Sequence, residues 1–183
     1  GAADTVVINA PTGSVHLYTE AGNDTINIKS IAKSSTADTG ADNDTITVNN
    51  GHDRLVEIRA DLAITGAGGT DIVHLIDNES TSDAAGHLTA QYLTGLGMSG
   101  RVIYDTIETL NIHLGKTNND LTIESTSAST TTSIATNEKS VAFSPGNDTI
   151  RVKTIAGPTN ITTRRGDDTV EISSSDAAIA GIQ

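Results

Sequence analysis

The 183-residue chain contains no cysteine and very few aromatic side chains. Aromatic residues make up 2% of the sequence, with Phe143 the only phenylalanine and no tryptophan. The absence of cysteine excludes a disulfide framework and a thiolate metal site. The shortage of aromatic residues argues against a thick hydrophobic core, whereas the many Ile, Val, Leu, Thr and Ser residues favour strands around a thin interior.

Basic residues are also scarce, since 11 Lys and Arg stand against 23 Asp and Glu for a net charge of −12. Binding to nucleic acid or to an anionic membrane requires a clustered basic surface, so we expect neither. No segment is long and apolar enough to insert in a membrane, and Gly1 begins inside a pattern without a signal peptide. We therefore expect cations as partners and interpret the chain as a fragment of a longer protein.

A short phrase, Asp-Thr followed by Ile or Val, recurs along the chain. It begins at Asp4, Asp24, Asp44, Asp105, Asp148 and Asp168. The interval is twenty residues from Asp4 to Asp24 to Asp44, and again from Asp148 to Asp168. A fixed period of this kind is typical of stacked, nearly identical units. Asp105 lies outside any Gly-rich turn and is expected to be an ordinary strand residue.

Apolar and polar residues alternate after each phrase, as in 26–28 and 46–48, which is the period of a half-buried strand. A second, weaker alternation within several units predicts two short strands and two turns per unit. Units this small must stack to bury their apolar faces. The sequence therefore predicts one all-β domain over 1–183, a parallel β-solenoid (β-roll or β-helix) with about twenty residues per turn. Residues 79–104 are less regular and predict a longer inserted turn, after which the alternation resumes at 110–114.

One turn of each unit carries the carboxylates, so we expect one acidic edge. Gly and Asn in these turns tolerate positive φ, which lets carbonyl groups curl inward. Stacked carboxylates repel one another, and Ca²⁺ takes six to eight carboxylate and carbonyl oxygens, so we expect Ca²⁺ between neighbouring turns. The candidate ligands are Asp4, Asp24, Asp42, Asp44, Asp71, Asp148, Asp167 and Asp168, with Gly22, Gly69, Gly146, Gly166, Asn23, Asn43 and Asn147.

A metal-free interpretation of the same turns is also open. Asp and Asn can cap turns through hydrogen bonds from their side chains to the main chain. In the phrase Asn118-Asn119-Asp120-Leu121 an Asn takes the place of the Asp. His74 and His113 are expected to point outward from strands.

The Gly-rich turn, its Asp and the following strand together resemble the haemolysin-type (RTX-like) calcium-binding repeat, Gly-Gly-x-Gly-x-Asp-x-apolar-x. The resemblance implies a parallel β-roll, Ca²⁺-dependent folding, secretion or display at the cell surface, and a place in a larger bacterial protein. The twenty-residue interval and the stretch 93–98 are similar to repeats of very large bacterial surface proteins. Family glycines are replaced by Glu20, Ser144 and Arg164, and the resemblance does not extend over 79–114.

Together these features predict a calcium-binding spacer or scaffold module, with neighbouring repeats and copies of itself as partners. An adhesin module that recognises carbohydrate or ice is the alternative, because the Thr after each Asp forms a repeated column. These are Thr5, Thr25, Thr45, Thr149 and Thr169. A β-helical polysaccharide lyase or epimerase needs basic residues around its acids, and the arginines are scattered, so we do not expect an enzyme.

Overall fold

The computed structural model describes residues 1–136 and 146–173, which form sixteen β-strands in two sheets. The strands are β1 Thr5–Ile8, β2 His16–Tyr18, β3 Thr25–Ile28, β4 Ser35–Asp38, β5 Thr45–Val48, β6 Leu62–Thr65, β7 Ile72–Ile76, β8 Ala84–Leu88, β9 Tyr92–Gly95, β10 Arg101–Asp105, β11 Thr109–His113, β12 Asn119–Ile123, β13 Thr131–Ala135, β14 Thr149–Val152, β15 Thr159–Thr162 and β16 Thr169–Ile172. Within these ranges there is no helix that could cross a membrane.

The chain passes back and forth between the two sheets. Sheet 1 has seven strands in the order β1-β3-β5-β7-β11-β13-β15, all parallel, and sheet 2 has nine in the order β16-β14-β12-β8-β9-β10-β6-β4-β2. The twenty-residue period sets the register, because Thr5 pairs with Thr25 and Thr25 with Thr45. The prediction of an all-β fold with parallel strands is confirmed.

Alternating apolar residues build the interior between the sheets. In β3, Ile26 and Ile28 are fully buried, and their register partners Ile46 and Val48 in β5 are fully buried as well. Each of these two strands therefore adds one rung of branched aliphatic side chains to a narrow core. This arrangement accounts for a folded chain with so few aromatic residues.

The irregular segment contains strands instead of the longer turn that we expected. In sheet 2, β9 is antiparallel to both β8 and β10, while β8 is parallel to β12 and β10 is parallel to β6. A three-stranded meander thus occupies the place of a single strand, and β11 then returns to sheet 1 beside β7. Gly86 leaves room for the side chains of Leu96 and Leu121, which would lie 3.0 Å from a Cβ at this position.

Candidate functional site

Aspartates stand directly before three strands of sheet 1, with their side chains turned into the molecule. Asp24, Asp44 and Asp71 are 2%, 1% and 0% exposed. Each accepts a hydrogen bond on Oδ1 from the main-chain N–H of its counterpart one repeat earlier: Asp4 to Asp24 at 2.7 Å, Asp24 to Asp44 at 2.8 Å, and Asp44 to Asp71 at 2.9 Å. Glu108 continues the series by accepting the N–H of Asp71 at 2.8 Å. We call this column of five carboxylates the first ladder.

The asparagines that precede the aspartates accept hydrogen bonds from the following repeat, whereas the aspartates accept them from the preceding repeat. The side-chain oxygen of Asn23 accepts the main-chain N–H of Asn43 at 2.9 Å, and that of Asn43 accepts the N–H of Thr70 at 2.8 Å. An Asn-Asp pair therefore bonds its turn to the turn before and to the turn after. This pattern confirms that Asp and Asn cap the turns through side-chain to main-chain bonds.

A second ladder precedes strands of sheet 2. Oδ1 of Asp168 accepts the N–H of Asp148 at 2.9 Å, and Oδ1 of Asp148 accepts the N–H of Asn119 at 2.8 Å. The first ladder lies in turns that lead into sheet 1, whereas the second lies in turns that lead into sheet 2. The prediction of a single acidic edge is therefore wrong. The Thr column divides in the same way, since Thr149 and Thr169 belong to sheet 2.

Asn119 occupies the Asp position of the second ladder, as predicted, and adds donors that an Asp lacks. Its Nδ2 lies 2.9 Å from Oδ1 of Asp148, 2.7 Å from the carbonyl oxygen of Thr117 and 3.1 Å from that of Gly115. The hydroxyl of Thr136 also bonds to the Asp148 carboxylate. The buried Asp148 therefore has polar hydrogens around it that stabilise its charge.

The first ladder lacks such donors. The Oδ2 atoms of Asp24, Asp44 and Asp71 are buried and accept no hydrogen bond from any described residue. The pKa of Asp71 is raised to about 6, first by burial and then by the nearby charges of Asp44 and Glu108, while the hydrogen bond from the N–H of Asp44 opposes this shift. Three buried carboxylate oxygens thus follow one another along the stack without a compensating group.

The other predicted ligands surround these ladders as turn residues. Positive φ is found at Gly22, Gly69, Gly166 and Asp42 but not at Asn23, Asn43, Asn147 or Gly146, so the expected backbone curl is present at only some of the predicted ligands. Asp42 and Asp167 are exposed. Gly146 has no space for a side chain, because a Cβ would lie 2.3 Å from the carbonyl oxygen of Thr117.

The ladder aspartates follow one another along the stack, one per repeat. In 1–136 and 146–173, no three or more His, Asp or Glu side chains form a group that could hold a metal ion. Calcium binding at these turns therefore stays a prediction, and it would rely on carbonyl oxygens in addition to the carboxylates.

The repeat pattern missed two acids, the half-buried Glu108 and the buried Asp77. Glu108 stands directly before Thr109, as Asp44 stands before Thr45, and this position could have identified it. Asp77 is 1% exposed, accepts the N–H of Leu55 at 2.9 Å on Oδ1 and has no donor on Oδ2. It occupies the next inward position after Val73 and Leu75. The alternation of β7 could therefore have predicted its burial.

The remaining motif residues lie outside the ladders. Asp105 ends strand β10, which confirms it as a strand residue. His74 and His113 are neighbours in sheet 1, half-buried, with ring centroids 6.4 Å apart. Comparison with known protein families, curated proteins and solved structures finds no match.

Proposed function

We propose that this chain is a β-solenoid spacer module of a large secreted or cell-surface protein, and that its first ladder takes up Ca²⁺. The observation that carries the calcium proposal is the buried, unpaired Oδ2 atom in each of Asp24, Asp44 and Asp71. The spacer role is supported by the stack itself.

The stack has the properties of a stiff connecting element. Strands enter sheet 1 in chain order, and sheet 2 departs from chain order only at the meander β8-β9-β10. Neighbouring rungs are joined by main-chain bonds and by side-chain bonds from Asp and Asn. Bending such a stack would separate several hydrogen bonds at once. A solenoid of this kind transmits load along its axis and needs no reactive group.

Calcium fits the chemistry of the first ladder. Neighbouring carboxylates lie about 4.8 Å apart along the stack, a distance at which buried like charges repel. A hard cation that binds carboxylate and carbonyl oxygens would remove this repulsion. At the millimolar Ca²⁺ found outside cells, a site with a dissociation constant tenfold lower would add about 1.4 kcal/mol of stability.

The second ladder offers an internal comparison. There Asn119 places an amide Nδ2 between the Asp148 carboxylate and two turn carbonyls. Burial holds the pKa of Asp148 above its ordinary value, although the hydrogen bonds from Asn119 lower it. The amide therefore compensates part of the charge from within the chain. In the first ladder a bound cation would supply the same compensation.

Neighbouring repeats are the proposed partners at the ends of the stack. In β16, Val170 and Ile172 are 42% and 45% exposed, although their register partners Ile150 and Val152 are 0% and 1% exposed. Aliphatic side chains at core positions favour contact with a further rung. Association between copies of this chain through the same ends is the other arrangement that we propose to test, by sedimentation with and without Ca²⁺.

Thermal unfolding in EDTA, Ca²⁺ and Mg²⁺ tests the calcium proposal. We expect a rise in melting temperature that Ca²⁺ produces and Mg²⁺ does not. Asp44→Asn keeps an oxygen for the N–H of Asp24 but removes the charge, so it should reduce the Ca²⁺-dependent rise while leaving stability in EDTA unchanged or higher. Asp38→Asn, on the outer face of sheet 2, is the matched control. Equal melting in EDTA and Ca²⁺ would refute calcium binding and leave a metal-free spacer.

A further inference from the structure

The outer face of sheet 1 carries no charge. We define this face as the outward side chains of β1, β3, β5, β7, β11, β13 and β15. None of these strands contains Asp, Glu, Lys or Arg. The absence is notable because the chain has 23 acidic and 11 basic residues.

Sheet 2 shows that this absence is not a general property of the fold. Its strands carry Asp38, Arg101, Asp105, Asp120, Arg151 and Glu171. Arg151 bonds to Asp120 and lies 3.2 Å from the carboxylate of Glu171, on strands to either side. Ion pairs therefore cross the outer face of sheet 2, whereas sheet 1 presents only neutral groups and two histidines.

The middle of the sheet 1 face is a column of polar side chains from β3 to β15, and the exposed Val7 of β1 lies at its end. Register pairing aligns Asn27, Thr47, His74, Asn111, Ser133 and Asn160 on successive strands. The side chains of Asn27, Thr47 and Ser133 make no hydrogen bond to any described residue. Hydroxyl and amide groups each donate and accept hydrogen bonds. The column thus offers paired donors and acceptors at the strand spacing, about 4.8 Å.

The size of the face argues against a stable protein partner. Seven strands span about 29 Å, and four residues span about 13 Å, so the face covers somewhat less than 400 Å². A stable protein interface buries about 800 Å² on each partner and centres on aromatic or Arg anchors. Apart from the two histidines, the sheet 1 strands provide no such anchor. A second copy of this chain is therefore a poor occupant.

We propose that the outer face of sheet 1 binds an uncharged, hydroxyl-rich polysaccharide. Such a chain has a high density of neutral donors and acceptors, which matches the Thr, Asn and Ser side chains of this face. The outward Val7, Ile72 and Ile76 add apolar contact area. Without aromatic rings for stacking, one module binds weakly, and several modules in one protein gain avidity. The face contains no carboxylate, so this binding does not depend on the calcium proposal.

NMR titration of the ¹⁵N-labelled chain with dextran and with laminarin tests this proposal, with alginate as the anionic comparison. We expect shifts confined to sheet 1, at Asn27, Thr47 and Asn111, with one of the two neutral glycans and none with alginate. Thr47→Lys should weaken binding at least about tenfold. Thr122→Lys, on the outer face of sheet 2, should leave it unchanged.

Three results would overturn the proposal. The first is the absence of shifts with both neutral glycans at about 10 mM sugar units, and the second is shifts that map to sheet 2 or appear equally with alginate. The third is a concentration-dependent dimer in sedimentation that Thr47→Lys abolishes, which would assign the face to a second copy of the chain. The titration is run in both Ca²⁺ and EDTA. Glycan shifts that are the same in both conditions would support the polysaccharide proposal whether or not the first ladder binds Ca²⁺.

Discussion

Oδ1 of Asp44 lies 2.8 Å from the main-chain nitrogen of Asp24, the residue in the same place one repeat earlier. Between the same two turns, the side chain of Asn23 accepts the N–H of Asn43 at 2.9 Å. The repeated Asn-Asp phrase therefore has a structural role that requires no ion. The hydrogen bond uses Oδ1 of Asp44, whereas a bound cation would use Oδ2. A substitution can therefore remove the cation ligand and keep the hydrogen bond.

Replacing Asp44 by Ala should destabilise the protein more than replacing it by Asn. Alanine leaves the buried N–H of Asp24 without an acceptor, at a cost of about 1–3 kcal/mol in the free energy of unfolding. Asparagine keeps that acceptor. Urea unfolding in EDTA measures both, with Asp38→Ala expected to change stability by less than about 0.5 kcal/mol. Equal losses for Ala and Asn at position 44 would show that the ladder bond contributes little.

Acidification from neutral pH should stabilise the metal-free protein through Asp77. Burial raises the pKa of Asp77 to about 6 from an ordinary 3.8, against the opposing bonds from Leu55 and Ser80 and the charge of Arg54. Because the folded-state pKa is the higher one, this contribution is complete below about pH 4 and is lost as the pH rises through about 6. From pH 7 to pH 5, the protonation of Asp77 should raise the free energy of unfolding by about 1 kcal/mol.

The variant Asp77→Asn isolates this effect, since the amide oxygen can still accept the N–H of Leu55. The free energy of unfolding of wild type and variant is measured by urea unfolding in EDTA at several pH values. The difference between the two free energies should narrow as the pH falls. Other titrating groups, including His74 with its lowered pKa, cancel in that difference. A constant difference across this range would contradict the assignment to Asp77.

The repeat pattern predicted strand content and register because both are local. Alternation placed Ile26 and Ile28 in the core, and the period paired Thr25 with Thr45. The choice of sheet was not predictable, since the identical phrases at Asn23 and Asn147 begin strands in different sheets. The chain passes back and forth between the two sheets, so the sheet that a strand joins depends on how many strands come before it. The turn and strand of one phrase do not contain that information.

The meander and part of the site depend on contacts distant in sequence. The reversal of β9 rests on its pairing with β8 and β10, and short alternating segments do not encode direction. The ladder aspartates were predictable because the phrase repeats. Glu108 and Asp77 lie outside the phrase, so the repeat alone did not identify them. The Thr after Glu108 and the alternation of β7 before Asp77 were the local signals available.

Replacing Asn119 by Asp should destabilise the protein in EDTA at neutral pH. The change removes the Nδ2 donor shared by Asp148, Thr117 and Gly115 and places a second carboxylate beside Asp148. We expect a loss of about 2–4 kcal/mol by urea unfolding. The Oδ1 atom of Asn119 is already buried without a partner, as the Oδ2 atoms of the first ladder are. Under the calcium proposal the added negative charge makes this position a ligand, so Ca²⁺ should recover part of the loss.

Asn43→Asp is the control for this prediction, because it keeps an acceptor at an exposed turn position. Its stability should stay within about 0.5 kcal/mol of wild type. If Asn119→Asp were equally neutral, the amide at Asn119 would not be needed to compensate Asp148.

Two glycines in neighbouring turns should differ sharply in their tolerance of alanine. Gly40 has φ +84, and a Cβ there would lie 1.6 Å from the carbonyl oxygen of Glu20, so Gly40→Ala should cost about 3 kcal/mol or more. Gly68 follows one repeat later, lies outside the positive-φ region and has nothing within 4 Å of the position that an added methyl group would take. Gly68→Ala should therefore be neutral or slightly stabilising. Similar melting temperatures for the two variants would contradict the close approach of the turn at Gly40 to the turn at Glu20. These are the turns that the bond between Asp24 and Asp44 also joins, so that bond would then be expected to be longer.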